Sequence, residues 1–161
     1  LADAITLKEN ETKKRPKVVL SWAPHPKALP HAVANSFVQM MKLQDADFVI
    51  THPEGYELNS ELTQGCQIEY DQDKALEDAD FVYVKNWSSY SEYGKVLSWD
   101  TNWTMTQQKL GQAKFMHCLP VRRNMVVEDA VLDGEQSLVV QQAKNRIFSA
   151  QLVLKKILEN L

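Results

Sequence analysis

The chain has 161 residues, 44% of them hydrophobic and 24% charged, with 18 Lys and Arg against 21 Asp and Glu for a net charge of −3. That is one domain's length with apolar content for one sizeable core, and the acidic balance argues against a nucleic-acid or anionic-membrane partner, which would favour surplus Lys and Arg. No apolar run approaches the roughly 20 residues that span a bilayer, no signal-peptide layout opens the chain, and Cys66 and Cys118 lie outside any small disulfide framework, so free thiols and a cytoplasmic protein are expected.

Leu1 to Glu9 reads as the tail of a helix, with apolar residues at Leu1, Ala4 and Ile5 and no capping signal before it. The charged stretch from Lys8 to Lys17 is a connector. Val18 to Trp22 is a short β-branched run closed by a Pro-rich turn, which predicts a buried strand. Leu29, Val33, Phe37, Met40 and Met41 follow at helical spacing. Asp47 to Thr51 is a second strand, Gln67 to Tyr70 a weaker extension of the sheet, and Asp73 to Asp78 a short helix leading into the strand Phe81 to Lys85. Residues 86 to 103 form a polar and aromatic loop. A helix from about Thr104 to Gln112 precedes the strand Lys114 to His117, and a last strand is expected over Ser137 to Val140. In the terminal helix Ile147, Ala150, Leu154, Ile157, Leu158 and Leu161 are expected to form a buried stripe. Short apolar strands separated by amphipathic helices indicate an α/β protein, a Rossmann-like three-layer sandwich with a mostly parallel sheet.

Ligand sites in such a fold lie at the carboxyl ends of the strands near the topological switch point. That rule gathers His25, Lys85, the Cys118 turn and Arg146 along one edge, without naming a reaction. The first strand runs into Ala23-Pro24-His25-Pro26 rather than a glycine-rich turn, which argues against a dinucleotide site. No phosphate-binding Gly-x-x-x-x-Gly-Lys-Ser/Thr loop occurs, and the histidines at 25, 31, 52 and 117 lack metal-ligand spacing. No cofactor and no metal are expected. His117-Cys118-Leu119-Pro120 is followed by Arg122 and Arg123, a residue type suited to bidentate recognition of carboxylate or phosphate. Taken singly, Cys118 reads as a small buried residue, His117 as a structural hydrogen-bonding group, and Lys85 or His25 as strand-end and loop residues.

The whole string His117 to Asn124 resembles the carbamoyltransferase superfamily, in which His-Cys-Leu-Pro marks the ornithine and acylornithine enzymes. Lys144-Asn145-Arg146 resembles the family's Glu-Asn-Arg element, departing at Lys144. Where classical ornithine enzymes carry a Ser-Met-Gly loop, this chain has Lys85-Asn86-Trp87, similar to the acylornithine branch, as are Trp22 to Pro26 and Ala32 to Ser36. The lysine that some acetylornithine enzymes carry at the place of Val126 is absent, which tilts the resemblance toward succinylornithine.

That resemblance implies carbamoyl transfer from carbamoyl phosphate to the δ-amine of an N-acylornithine, within arginine biosynthesis. Acetylornithine or ornithine is the alternative acceptor, and an isolated ligand-binding domain the non-enzyme alternative. Cys118 and Leu119 would meet the carbamoyl group through backbone carbonyls, Arg146 would grip carbamoyl phosphate, and His25, Lys85 and Arg122 would face the acylornithine. Cys118, Arg122 and Lys85 are the catalytic candidates; a nucleophilic thiol is the weaker reading of Cys118, because direct amine attack needs no acyl-enzyme. The family's Ser-x-Arg-Thr loop and His-Pro-x-Gln segment do not occur here. The expected layout is an interdomain-helix tail and connector over 1–16, the acylornithine-binding domain over 17–140, and over 141–161 a helix that packs on the domain and returns toward a carbamoyl-phosphate half. The 161 residues alone are expected to be inactive and monomeric or weakly associating, and the full-length protein a homotrimer.

Overall fold

A computed structural model describes residues 1–160. Helix α1 (Ala2–Asn10) precedes strand β1 (Lys17–Trp22), helix α2 (Ala32–Met41), β2 (Asp47–Thr51), a single turn α3 (Ser60–Thr63) and β3 (Gln67–Glu69). There follow α4 (Gln72–Leu76), β4 (Phe81–Lys85), a 3-10 turn at Thr101–Trp103, α5 (Gln107–Leu110), β5 (Lys114–Met116), α6 (Asp129–Leu132) and α7 (Val139–Leu158). The five strands form one sheet in the order β3-β2-β1-β4-β5, and every pairing is parallel.

Strand alternation sorts the apolar side chains into two layers. Val18, Leu20, Trp22, Phe81, Tyr83 and Met116 face one way, against α2 and the start of the chain. Val19, Val82, Val84 and Phe115 face the other, against Ala75 and Leu76 of α4, Leu110 of α5 and Val131 of α6. Helix α2 buries Ala34, Phe37, Val38 and Met41 at i, i+3, i+4 and i+7, the stripe of a helix lying on a sheet. The short helices depend on caps: Asp71 accepts from the Asp73 and Lys74 amides, and Thr106 from Lys109.

The chain runs outward from β1 through β2 to β3, then returns to place β4 on the other side of β1. The switch point therefore lies between β1 and β4, where Trp22 pairs with Lys85. Pairing of Tyr83 with Met116 brings the exit of β5 alongside the same edge. Three loops meet there: the one after Trp22, the one after Lys85 and the one after Met116.

Two expectations about the carboxyl end are corrected. Ser137 to Val140 is no strand: Ser137 makes one bridge to Phe115, and α7 has begun by Val139. Leu138 and Val139 are buried, so their apolar run is that of a core segment, which periodicity over four residues cannot assign to strand or helix. The stripe on α7 is also exposed: Ile147, Leu154, Ile157 and Leu158 are each more than half exposed, and Ala150 is open as well. Leu161 lies outside the described residues. What α7 does bury is its first turns, through Val139, Gln142 and Asn145. Asn145 donates to Thr6 Oγ1 (3.0 Å) and Glu9 Oε2 (2.8 Å), pinning α1 to α7 by a polar clasp.

Candidate active site

The turn after β5 is fixed by its own hydrogen bonds. His117 is buried; its N–H donates to Gln142 Oε1 at 3.0 Å, and its Nδ1 accepts the Leu119 N–H at 3.0 Å. Gln142 is braced in turn by donating to Asp3 Oδ1 at 2.7 Å. Leu119 has φ +45° and is followed by a cis bond to Pro120. A leucine in the left-handed region is uncommon and marks a place where surroundings dictate backbone. Burial pushes the His117 imidazole down to about 3, helped by neighbouring Lys85 and His25, so the ring is neutral near pH 7. Burial likewise raises the Asp3 carboxyl above its usual range.

The two arginines beyond the turn part company. Arg123 forms a bidentate pair with Asp133 (2.7 and 2.8 Å) and reaches Asp129 at 2.8 Å. Asn124, at φ +56°, closes the same box by donating to Asp129 Oδ2 and accepting the Asp129 N–H. Arg122 is exposed and makes no ion pair among the described residues. Sequence reasoning placed both beside the turn; the folded chain commits one to structure and leaves the other its donors.

Lys85 ends β4 and is 9% exposed. The next residue, Asn86, donates to the Ala23 carbonyl at 2.7 Å and accepts from Leu29 N–H at 3.4 Å, lacing the loop after β4 to the loop that carries His25. Ser88 N–H adds a bond to Leu29 O, and the His31 ring bonds Ser88 O at 2.6 Å. Trp22 donates to the Trp87 carbonyl and Trp87 to the Tyr56 carbonyl, so the loop's aromatic base is also anchored. Burial lowers the His25 imidazole, opposed by its bond to the Lys27 carbonyl and reinforced by the positive charges of Arg122 and Lys85. His25, Lys85, Arg122 and His117 thus share one electrostatic neighbourhood.

Cys118 and Leu119 line a cleft of about 920 Å³ together with Asp3, Tyr83, Gln142 and Arg146. His25, Lys85 and Arg122 are not in its lining, while His117 both lines it and feels the charges of Lys85 and His25. Arg146 lies two turns into α7 rather than at its start. Asp3, Tyr83 and Gln142 were missed in the sequence. Gln142 was findable, since it stands four residues before Arg146 and so shares its helix face; Asp3 reaches the site only because α1 packs on α7. Burial, then the nearby Asp3 and Cys118 groups, pushes the Tyr83 phenol well above its usual range, so it stays a neutral donor.

The arrangement offers carbonyl acceptors on a fixed turn, an arginine in the same cleft lining, and two further cations, Lys85 and Arg122, outside that lining. Such a set suits a small anionic substrate with an amide-like group and a second substrate bearing carboxylates.

Residues 30–157 match the model of the Asp/Orn-binding domain of aspartate/ornithine carbamoyltransferase. The chain is 53% identical over 99% of its length to the N-succinylornithine carbamoyltransferase of Bacteroides fragilis, and 52% identical to that of Bacteroides thetaiotaomicron. It spans about half the length of these curated relatives, 52% of each. Among solved structures it resembles an acetylornithine transcarbamylase complexed with acetylcitrulline, with a TM-score of 0.81 and 28% identity over 90% of this chain and 51% of that one. A mutant N-acetyl-L-ornithine transcarbamylase complexed with carbamyl phosphate and N-succinyl-L-norvaline is similar at a TM-score of 0.80 and 27% identity, with the same coverage. No helix among the described residues is long and apolar enough to cross a membrane. With its parallel sheet, its switch-point loops and its match over residues 30–157, the chain belongs to the aspartate/ornithine carbamoyltransferase family.

Proposed function

We propose that this chain is the acceptor-binding half of an enzyme that transfers a carbamoyl group from carbamoyl phosphate to the δ-amine of N-succinyl-L-ornithine. The observation that carries the reading is the meeting of Lys85, His25 and Arg122 beside the His117-Cys118-Leu119-Pro120 turn, in a chain 53% identical to a protein of that name. In the reaction the amine lone pair forms the new N–C bond, the C–O bond to phosphate breaks, phosphate leaves with the electron pair, and the proton lost by the amine nitrogen ends on the departing phosphate. The Cys118 and Leu119 carbonyls accept from the carbamoyl NH₂, and Arg146 binds the phosphate-bearing substrate across the cleft. Held in line, the two small substrates lose much of the entropic barrier to meeting, and fixed cations stabilise the charge that builds on the leaving group.

Charge matching favours the succinyl acceptor. Succinylornithine carries two carboxylates where acetylornithine carries one. Lys85 and Arg122 supply two cations, and His25, kept from protonating by burial and by those same cations, adds none. A second carboxylate therefore has a cation available for a charge-assisted hydrogen bond that an acetyl group would leave unmade. The thiol of Cys118 binds or orients and forms no covalent intermediate. We infer a protein of the cytoplasm and of arginine biosynthesis that is homotrimeric in its full-length form.

The test is a citrulline-type product assay with ornithine, N-acetylornithine and N-succinylornithine side by side, on a polypeptide of the relatives' full length. Succinylornithine is expected to give the highest kcat/KM. Equal or better turnover of acetylornithine or ornithine would overturn the substrate assignment, and no carbamoylated product from any of them would overturn the reaction.

A further inference from the structure

Two amides of the turn after β5 are engaged within the protein. Here the His117 N–H goes to Gln142 Oε1 and the Leu119 N–H to His117 Nδ1, both at 3.0 Å. No side chain or loop amide among the described residues donates to the Cys118 or Leu119 carbonyl. Leu119 holds φ +45°, a region L side chains rarely keep without a local partner, and the ring two residues back supplies that partner.

We propose that His117 is a positioning residue of the carbamoyl site: as the Nε2–H tautomer it accepts the Leu119 amide through Nδ1 and so aims the Cys118 and Leu119 carbonyls, while Gln142, braced by Asp3, fixes the strand end from which the turn departs. The inference rests on the carbamoyl-transfer reading for what those carbonyls bind, though not for the geometry itself.

The tautomer follows from the bond. Only an unprotonated Nδ1 can accept an amide N–H, and a neutral ring then carries its proton on Nε2. Protonating Nδ1 would turn the acceptor into a donor and release Leu119. The groups around the ring oppose that event. Lys85 at the end of β4 and His25 in the loop after β1 disfavour a second charge. Arg123 and Arg146 line the same cleft, and Asp3 of α1 is engaged by Gln142 rather than by the imidazole. The same geometry separates His117 from a general base: one nitrogen already has its lone pair in a hydrogen bond, and the other already bears a proton.

Two experiments test this. Nitrogen-15 correlation spectra of histidine-labelled protein between pH 5.5 and 8 should show His117 as the Nε2–H tautomer throughout; an Nδ1–H tautomer, or a ring that protonates in this range, overturns the proposal. In the full-length enzyme, His117→Phe keeps the ring's shape without the acceptor, and kcat/KM for carbamoyl phosphate should fall about 10- to 100-fold, the cost of a misplaced contact of about 1 Å. Acylornithine affinity should change much less, within about twofold, since the hydrogen bond removed orients the Cys118 and Leu119 carbonyls and none of His25, Lys85 or Arg122 is hydrogen-bonded to the His117 ring. His117→Asn, whose Oδ1 can reach the same amide, should recover about tenfold of the loss. An active enzyme in which His117→Phe matches the parent on carbamoyl phosphate sinks the inference. A parent enzyme that transfers no carbamoyl group sinks the functional reading instead, and the tautomer experiment then still decides the role of the ring in the turn.

Discussion

Asn86 is the side chain whose removal should do most damage for its size. It sits between Lys85 and Trp87, is 4% exposed, and joins the two loops that flank the switch point. Its Nδ2 donates to the Ala23 carbonyl at 2.7 Å, and Ala23 is fully buried, so in Asn86→Ala no water can replace the lost donor without entering the core. Leaving one buried carbonyl unpaired costs about 1–3 kcal/mol. The bond from Leu29 N–H, at 3.4 Å, is long and adds less. A total near 2–3 kcal/mol corresponds to a drop in Tm of roughly 4–12 °C for a chain of this length. Asn86→Asp at pH 8 should be at least as damaging, because it sets a carboxylate oxygen where the donor was and faces it to the Ala23 carbonyl. Thermal unfolding followed by near-ultraviolet circular dichroism measures both. In the full-length enzyme the acylornithine KM should also rise, since the loop carrying His25 loses its tie to Lys85. A Tm for Asn86→Ala within 1 °C of the parent would refute the claim that this amide holds the switch point together.

Arg122→Ala should raise the KM for the acylornithine by about 10- to 100-fold, the worth of a charge-assisted hydrogen bond, and leave that for carbamoyl phosphate nearly unchanged; steady-state kinetics with each substrate varied in turn will show it, and equal effects on both would remove Arg122 from the acceptor side. Acid should destabilise the chain well before its carboxylates titrate. His117 is held down to about 3 and His52 is lowered by burial, while an unfolded histidine titrates near 6.5, so as pH falls below about 6.5 the unfolded chain gains protons that the folded chain refuses. Urea midpoints should therefore drop between pH 7.5 and 5.5, and less so in His117→Asn; a flat profile counts against the buried neutral ring. Leu154→Lys combined with Leu158→Lys should shift Tm by no more than about 1 °C, because both side chains are open to solvent, and should reduce any self-association seen by light scattering.

The fold was legible where burial is two-sided. Val18 to Trp22 and Phe81 to Lys85 are central strands of a parallel sheet, packed on both faces, and such strands read as unbroken apolar runs whatever their neighbours. Legibility fails at the edges. β3 is three residues with only its last side chain partly covered, so no hydrophobic signal enforces it. The four-residue helices α3 and α6 carry too few turns for periodicity to register. Ser137 to Val140 misled because Leu138 and Val139 are buried at a junction, one residue past a bridge and one residue into a helix. On α7 the pattern was real and its burial was not: an apolar stripe records that a face is suited to cover, and nothing in its spacing says that the covering element lies among the described residues.

The site divides along a different line. A signature such as His117 to Asn124 names residue types, and the fold assigns their jobs through partners that sequence spacing does not reveal. Arg122 and Arg123 are adjacent in the chain and opposite in use, because Asp129 and Asp133 lie within reach of only the second. Lys85 at the end of β4 and Arg122 after β5 are 37 residues apart and act on the same His25, a relation set by the pairing of β1 with β4 and of β4 with β5. Asp3 stands 114 residues before His117 and reaches its amide through Gln142 alone. The last two relations span the chain and the first is local but depends on which way a turn aims its side chains, so neither periodicity nor composition could encode them. A change that spares the signature and breaks one such tie, Gln142→Leu for instance, is expected to disturb the turn as much as a change within it, because the buried His117 N–H would then have no acceptor.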